Sequence, residues 1–376
     1  MKDNTLVITA THIVFISDMH LGVRQNSTEW AENIQSYVQN FFIPYIKNLK
    51  DSLSDNEQLI VMNLGDTFDD RKSIDININN LAIDLFEELA SIVPVYIING
   101  NHDLSKRTNK GNTSLRTLDL IPNVTVITEP TLITFKDHAK KNLSKFIAIP
   151  YLGSTAEESK YLVEYSGKAD YALMHTEIAK MKMDNGMPIV SGANAESFKG
   201  KIFAGHIHHR QENHNVIYVG APYQLTRGDI GNIKGIYCLN LKTNELTFTE
   251  NTYSPLFQKI NIEDFIKLNV TERRELLDNN YTYIVVNENE LNKYKKKIDL
   301  FNLKDGTNAK SVRPLIIKQK TELAVEADKA YHEMSIEELI NNSIDQLEIT
   351  DDVKDRLKQK STNYLKAAEE IILQDL

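Results

Sequence analysis

The stretch Ile13-Val14-Phe15-Ile16-Ser17-Asp18-Met19-His20-Leu21-Gly22 decides how this chain folds. Four β-branched or aromatic residues in succession read as a buried strand, and they run straight into a carboxylate and an imidazole two positions apart. In extended backbone such side chains point the same way, so Asp18 and His20 can reach one ion. By itself the pair is a weak signal, because an Asp or His past a strand is usually a cap or a turn former. The neighbouring sequence repeats it. A second apolar run, Leu59-Ile60-Val61-Met62, ends in Asn63-Leu64-Gly65-Asp66-Thr67-Phe68-Asp69-Asp70, and a third, Val95-Tyr96-Ile97-Ile98, ends in Asn99-Gly100-Asn101-His102-Asp103.

Between the first two runs, about Thr28 to Leu49, apolar residues fall at Ile34, Val38, Phe41, Phe42, Tyr45, Ile46 and Leu49, which is helical spacing. A second helix is expected over about Ile78 to Ile92, with Leu81, Leu85, Leu89 and Ile92 on one face. Strand, helix, strand, helix, strand means a layered α/β domain, in which ligands collect at the carboxyl ends of the strands. Further strands are expected at Phe146 to Ile149, Tyr171 to Met174 and Ile202 to Ala204, the last two running into His175 and into Gly205-His206-Ile207-His208-His209. Of ten histidines, five (His20, His102, His175, His206 and His208) lie just past a predicted strand, and this clustering is what carries information. Carboxylates gathered on one rim repel one another, so divalent cations are their natural compensation. Carboxylate, imidazole and neutral amide oxygen without thiolate suit manganese, iron or zinc in an open site, and there are more ligands than one ion needs.

The chain changes character near Pro255: 14 of its 15 glycines lie at or before Gly235. Beyond Pro255 a small α+β unit is expected: a segment Ile260 to Leu268, a helix near Thr271 to Leu277, and strands Tyr281 to Val286 and Val312 to Lys318. From about Glu322 the pattern turns helical, with a capping box at Ser335 to Glu338 and a second helix start at Thr350. The expected domains are therefore 1–255, 256–321 and 322–376.

Composition bounds the rest. The 376 residues, 41% of them apolar, are enough for two or three domains with cores. A net charge of -9 gives no bulk attraction to nucleic acid or to an anionic membrane, so any such binding must be local. The single cysteine, Cys238, excludes an internal disulfide and a Cys/His zinc finger. With no apolar run of about 18 residues and no signal-like N-terminus, the expectation is a soluble cytoplasmic protein without membrane contact.

Taken together, Asp18-Met19-His20, Gly65-Asp66 with Asp69, Gly100-Asn101-His102-Asp103, His175 and Gly205-His206-Ile207-His208 resemble, in order and spacing, the five motifs of the calcineurin-like metallophosphoesterases. Within that superfamily the first, second and last motifs, and the following Tyr218-Val219-Gly220-Ala221-Pro222, are similar to the nuclease subunits of SbcCD-type double-strand-break repair complexes, including their smaller T4-like phage relatives. The resemblance implies a four-layered α/β/β/α sandwich with a small α+β cap and C-terminal helices. It implies two divalent ions, most simply Mn(2+), one held by Asp18, His20, Asp66 and His208 and the other by Asp66, Asn101, His175 and His206. Two such cations about 3.5 to 4 Å apart clamp a phosphodiester and activate a water. His102 would stabilise the transition state or protonate the leaving 3'-oxygen. Asp69 reads either as a carboxylate orienting a ligand histidine or His102, or as a turn residue. His175 has no glycine nearby to fix its turn.

Lys106, Arg107 and Lys110 read either as DNA-backbone contacts or as a solvated loop, and local pairs such as Arg71-Lys72, Lys140-Lys141 and His209-Arg210 could line a path for DNA. The resemblance further implies homodimerisation beside the GNHD turn, an SMC-like ATPase partner docking on the C-terminal helices, and a DNA nuclease acting 3'-to-5' on duplex ends and endonucleolytically on single strands or hairpins. A phosphatase or phosphodiesterase of the same superfamily is the alternative. A scaffold that has lost its metals is disfavoured because no ligand position is replaced.

Overall fold

The computed structural model describes residues 4–70, 73–105, 112–294, 296, 308–317, 341, 343–345, 350 and 353–362. The chain divides into two compact units, Met1–Ile284 with Lys297–Pro314, and Val285–Lys296 with Leu315–Leu376.

Two sheets dominate the first unit. A six-stranded sheet has the order β13 (Glu245–Glu250), β12 (Gly235–Asn240), β2 (His12–Ile16), β3 (Leu59–Asn63), β4 (Val95–Ile98), β5 (Val124–Ile127). From β2 to β5 its strands are parallel, so β2, β3 and β4 deliver their carboxyl ends to one rim. A seven-stranded sheet has the order β1 (Asn4–Thr9), β6 (Thr131–Lys136), β7 (Asn142–Ile149), β8 (Tyr171–His175), β9 (Lys201–Gly205), β11 (Val216–Tyr218), β10 (Gln211–Asn213). Strands β7, β8, β9 and β11 are parallel, which brings the ends of β8 and β9 together.

The layering follows from side-chain alternation along each strand. Ile13 and Phe15 of β2 point into a core shared with Phe146, Leu173 and Phe203 of the seven-stranded sheet. Val14 and Ile16 point the other way, into a core with Ile34, Ile46, Phe86 and Leu89 from the helices that cover that face. On the far side Ala172, Met174 and Ile202 pack with Leu162 and Tyr165 of the helix Thr155–Tyr165. Three cores separate four layers, an α/β/β/α sandwich.

The helix expected over Thr28 to Leu49 is divided: α-helix over Thr28–Tyr37, a π-helical turn over Val38–Phe42, and α-helix again over Ile43–Ser52. Pro44 in the first turn of the last piece offers no backbone N–H, so the regular ladder cannot run through it, and the wider turn accommodates the gap. The strands β1, β5, β6, β10, β11, β12 and β13, which carry less distinctive sequence, complete the sheets.

After Glu250 the chain forms a small sheet of order β14 (Phe257–Asn261), β15 (Tyr281–Asn287), β16 (Ser311–Ile317), with helices at Ile262–Lys267 and Val270–Leu277. Asn269 and Glu272 cap the second of these reciprocally. Phe257 and Tyr281 stack on one another (ring centroids 4.6 Å apart) and on Trp30 of the first helix (6.2 and 5.8 Å), and the Tyr281 hydroxyl donates to Glu29. In the second unit residues 353–362 are helical, with the Thr350 carbonyl accepting from Val353 and Lys354. The helix expected from Ser335 lies largely outside the described residues, as does the end of the chain. Among the described residues no helix is long and apolar enough to cross a membrane.

Candidate metal centre

The loops after β2 and β3 run side by side. Asp18 N donates to Gly65 O (3.0 Å), His20 N to Asp66 O (3.1 Å) and Leu21 N to Thr67 O (2.8 Å). This places Asp18, His20 and Asp66 around one point, at a conformational cost: Asp18 (φ 53°), His20 (48°), Asp66 (50°) and His206 (93°) all adopt left-handed backbone. For residues with a Cβ that costs on the order of 1 kcal/mol each, a burden that persists where geometry serves a site. Close approach explains the glycine before the third loop. A Cβ on Gly100 would stand 2.2 Å from the Asp66 nitrogen, so any other residue would push the two loops apart.

Three groups of metal-ligating side chains gather here, His20 with Asp69 and His102 and the two that follow. In the first, Asp18, His20 and His208 converge, with the Nε2 atoms of His20 and His208 3.0 Å apart and Asp66 Oδ2 3.8 Å from His20 Nε2. In the second, Asp66, His175 and His206 converge: Asp66 Oδ2 lies 3.2 Å from His175 Nε2, and Asn101 Oδ1 lies 3.0 Å from His175 Nε2 and 2.7 Å from His206 Nδ1. Asp66 stands between the two. The donor set fits a pair of divalent ions, because two ligands at right angles and about 2.1 Å from an ion are themselves about 3 Å apart. Oxygen and imidazole donors without thiolate also match a catalytic rather than a closed structural site.

The surroundings aim these donors. His175 Nδ1 donates to Leu64 O (2.7 Å), which turns Nε2 toward the ligand cluster. Asp69 Oδ1 takes the Nδ1–H of His20 (3.0 Å), with the same effect. His102 donates its backbone N–H to Asp66 Oδ1 (2.7 Å) and its Nδ1–H to Asp69 O (2.5 Å), so Nε2 is the nitrogen left to act. Its ring stands edge-on to that of His20, centroids 5.0 Å apart.

Electrostatically the site is a cluster of compensating charges. Burial pushes the Asp66 carboxyl up, but the charge and hydrogen bond of His175 and the charge of His20 outweigh it and hold Asp66 ionised. Burial works against a charge on His175, yet Asp66 and Asp18 raise it to about 9. His206 and His208 are pushed down to about 3, by burial first and then by the charges of His175 and His20 respectively, so both are neutral and have lone pairs to give.

Several residues that hold the site lack a distinctive signal in the sequence. Asp103 is fully buried and accepts from Thr67 N (3.1 Å), Phe68 N (3.1 Å) and Gly100 N (2.9 Å), stapling two loops together; its place directly after His102 was its one clue. The turn after His175, which has no glycine, is fixed by side chains. Thr176 Oγ1 donates to buried Glu158 (2.5 Å), while the Tyr218 hydroxyl donates to Thr176 O (2.8 Å) and accepts from Ile178 N (2.8 Å). Asp184 Oδ2 lies 3.5 Å from His208 Nδ1. Arg210 is engaged within the chain, its guanidinium 4.3 Å from the Phe248 ring centroid and donating to the Tyr237 hydroxyl (3.2 Å). Arg71, Lys72, Lys106, Arg107 and Lys110 lie outside the described residues.

Residues 11–216 match the family of calcineurin-like phosphoesterases. Exonuclease subunit 1 of Enterobacteria phage T4 is 28% identical over 292 residues, an alignment covering 75% of this chain and 81% of that protein. The uncharacterized protein R555 of Acanthamoeba polyphaga mimivirus is 27% identical over 271 residues, which is 66% of this chain and 19% of that larger protein.

Proposed function

Because the chain belongs to the calcineurin-like phosphoesterases, we propose that it is the nuclease subunit of a DNA recombination and repair complex, hydrolysing phosphodiesters with two Mn(2+) ions. The observation that carries this reading is the pair of ligand clusters on either side of Asp66, with His102 bonded to that same carboxylate. Similarity to a protein named an exonuclease subunit, over most of both chains, supports DNA as the substrate and a partner protein.

Two divalent ions at such a site supply positive charge to the phosphate oxygens and a water acidic enough to attack near neutral pH. The chain's own residues do the rest. Asp18, His20 and His208 would hold one ion, and Asn101, His175 and His206 the other, with Asp66 common to both. Asp69 keeps the His20 ring turned so that Nε2 faces inward. His102, anchored through Nδ1, presents Nε2 to the phosphate, where it can donate to a developing negative charge or to the leaving 3'-oxygen. We assign 3'-to-5' exonuclease activity on duplex ends and endonuclease activity on single strands and hairpins. An SMC-like ATPase would dock on residues 322–376, and a second copy of the chain would pair beside the GNHD turn. Lys106, Arg107 and Lys110 are the proposed backbone contacts to DNA.

The test is cleavage of end-labelled duplex and single-stranded DNA in manganese and in magnesium, with bis-p-nitrophenyl phosphate alongside. Manganese-dependent DNA cleavage is expected, falling about 10²- to 10⁴-fold in His102→Ala with bound metal unchanged. Turnover of the small ester without DNA cleavage, even after the ATPase is added, would instead establish a phosphodiesterase of another kind.

A further inference from the structure

Behind His208 lies a charged pair that the chemistry above does not use. Lys234 is 4% exposed and Asp229 2%, and Lys234 Nζ stands 2.5 Å from Asp229 Oδ1. A second ammonium proton goes to the backbone carbonyl of His208 (2.6 Å), which also accepts from Ala221 N (3.1 Å). Asp229 is tied down in turn: its Oδ2 accepts from Leu225 N (3.0 Å) and Thr226 N (2.8 Å). His209 Nε2 lies 3.5 Å from Asp229 Oδ1.

A buried ion pair is poor value as a source of stability, since desolvating both charges cancels most of their attraction, and well-packed apolar residues do as well. Geometry is what this pair provides. The ammonium bridges a rigid turn (Leu225 to Asp229) to the main chain of one ligand histidine. That ligand's ring is held by less than those of His175 and His20, which are each fixed through Nδ1 at 3.0 Å or closer, whereas His208 Nδ1 has Asp184 at 3.5 Å and its side chain is 26% exposed. Its backbone is correspondingly the part that is clamped.

We propose that Lys234, paired with Asp229, is a positioning residue that sets the main chain at His208 and so aims its Nε2 at the ion shared with Asp18 and His20. The inference rests on the dinuclear reading of the site, and the experiment separates the two. Metal-free full-length protein is titrated with Mn(2+), free ion being followed by electron paramagnetic resonance, for the wild type, Lys234→Met, Asp229→Asn and His208→Ala. The wild type is expected to bind two ions. Lys234→Met should retain one at wild-type affinity and bind the other 10- to 100-fold more weakly, the usual effect of losing a group that orients a ligand. Asp229→Asn should weaken the same ion less, and His208→Ala should weaken it most. A general loss of structure would weaken both ions together. Two ions at wild-type affinity in Lys234→Met, or equal weakening of both, overturns the proposal and leaves the dinuclear reading intact. If Lys234→Met does not fold, Asp229→Asn carries the same criterion. A wild type that binds fewer than two ions overturns both.

Discussion

The two sheets bring different chemistry to the rim where they meet, and they hold it in different ways. From the ends of β2, β3 and β4 come two carboxylates, an amide and one imidazole; from β8 and β9 come imidazoles alone. The first group is fixed mainly by backbone, loop against loop, with Gly65 O, Asp66 O and Thr67 O accepting from the DMHL turn and Asp103 bracing the GDTF and GNHD turns. The second group is fixed mainly by side chains that arrive from elsewhere in the fold: Glu158 from the outer helix, Tyr218 from β11, and Lys234 from the segment before β12. Half of the site is thus held by main-chain contacts between its own loops and half by side chains from outside them, and it exists only where the halves are held in register.

The sandwich interior is what sets that register, so the largest effect is expected there. Phe203 of β9 is fully buried between the sheets, its ring 4.4 Å from that of Phe15 on β2 and 5.9 Å from Tyr171 on β8. Phe203→Ala should cost about 3–5 kcal/mol of unfolding free energy, a transfer loss plus a cavity. Because Phe15 and Phe203 lie on the strands that carry Asp18 and His206, manganese binding should weaken as well. Denaturant unfolding and a metal titration together check this. A large stability loss with unchanged metal affinity would show that the two halves keep their register without the ring pair.

Next comes a change aimed at the half held by its backbone. Gly100→Ala puts a methyl 2.2 Å from the Asp66 nitrogen and equally close to its Oδ1, in a place where neither loop can yield without moving a ligand. Displacements of about 1 Å in such sites cost on the order of 10²-fold in rate. Steady-state phosphodiester hydrolysis by the variant should fall by about that factor, while the sandwich unfolds cooperatively as before. Wild-type rates would mean that the GNHD and GDTF turns are looser than their backbone contacts imply.

The same division explains what was legible in the sequence. Asp18, His20, Asp66, Asn101 and His102 stand in short motifs with glycines that permit tight loops, and each motif follows an apolar run, so strand, turn and donor could be read together. The four layers could not be read in that way. Alternation shows that Ile13 and Val14 face opposite cores, but not that the partner of Ile13 is a second sheet built from β1 and from residues beyond 130. The π turn at Val38–Phe42 was equally hidden, because a helical hydrophobic pattern tolerates one extra residue per turn. Glu158, Asp184 and Lys234 read as ordinary surface charges, since what buries or engages them lies tens of positions away. Arg210, read as part of a basic pair, also packs its guanidinium on Phe248, a contact that its sequence context does not suggest.

The smallest effect concerns the half held by side chains and depends on pH. Burial, the largest cause, holds the Glu158 carboxyl above the usual carboxylate range, against the opposing bonds from Thr176 and Leu152 N. A carboxyl raised in the fold keeps its proton to higher pH than it does in the unfolded chain. Its contribution to stability is therefore complete below the ordinary carboxylate value and is lost as pH rises through the folded one. Glu158→Gln keeps the shape and removes the titration. The difference in unfolding free energy, wild type minus variant, should accordingly shrink as pH rises through the weakly acidic range, measured by urea unfolding of metal-free protein. Thr176→Val, which takes away the hydroxyl donor, should cost about 1–3 kcal/mol at neutral pH, where the carboxylate most needs it. If that difference instead grew with pH, Glu158 would be ionised throughout and stabilised by its donors. The turn bearing His175 would then be held by charge rather than by a buried neutral acid.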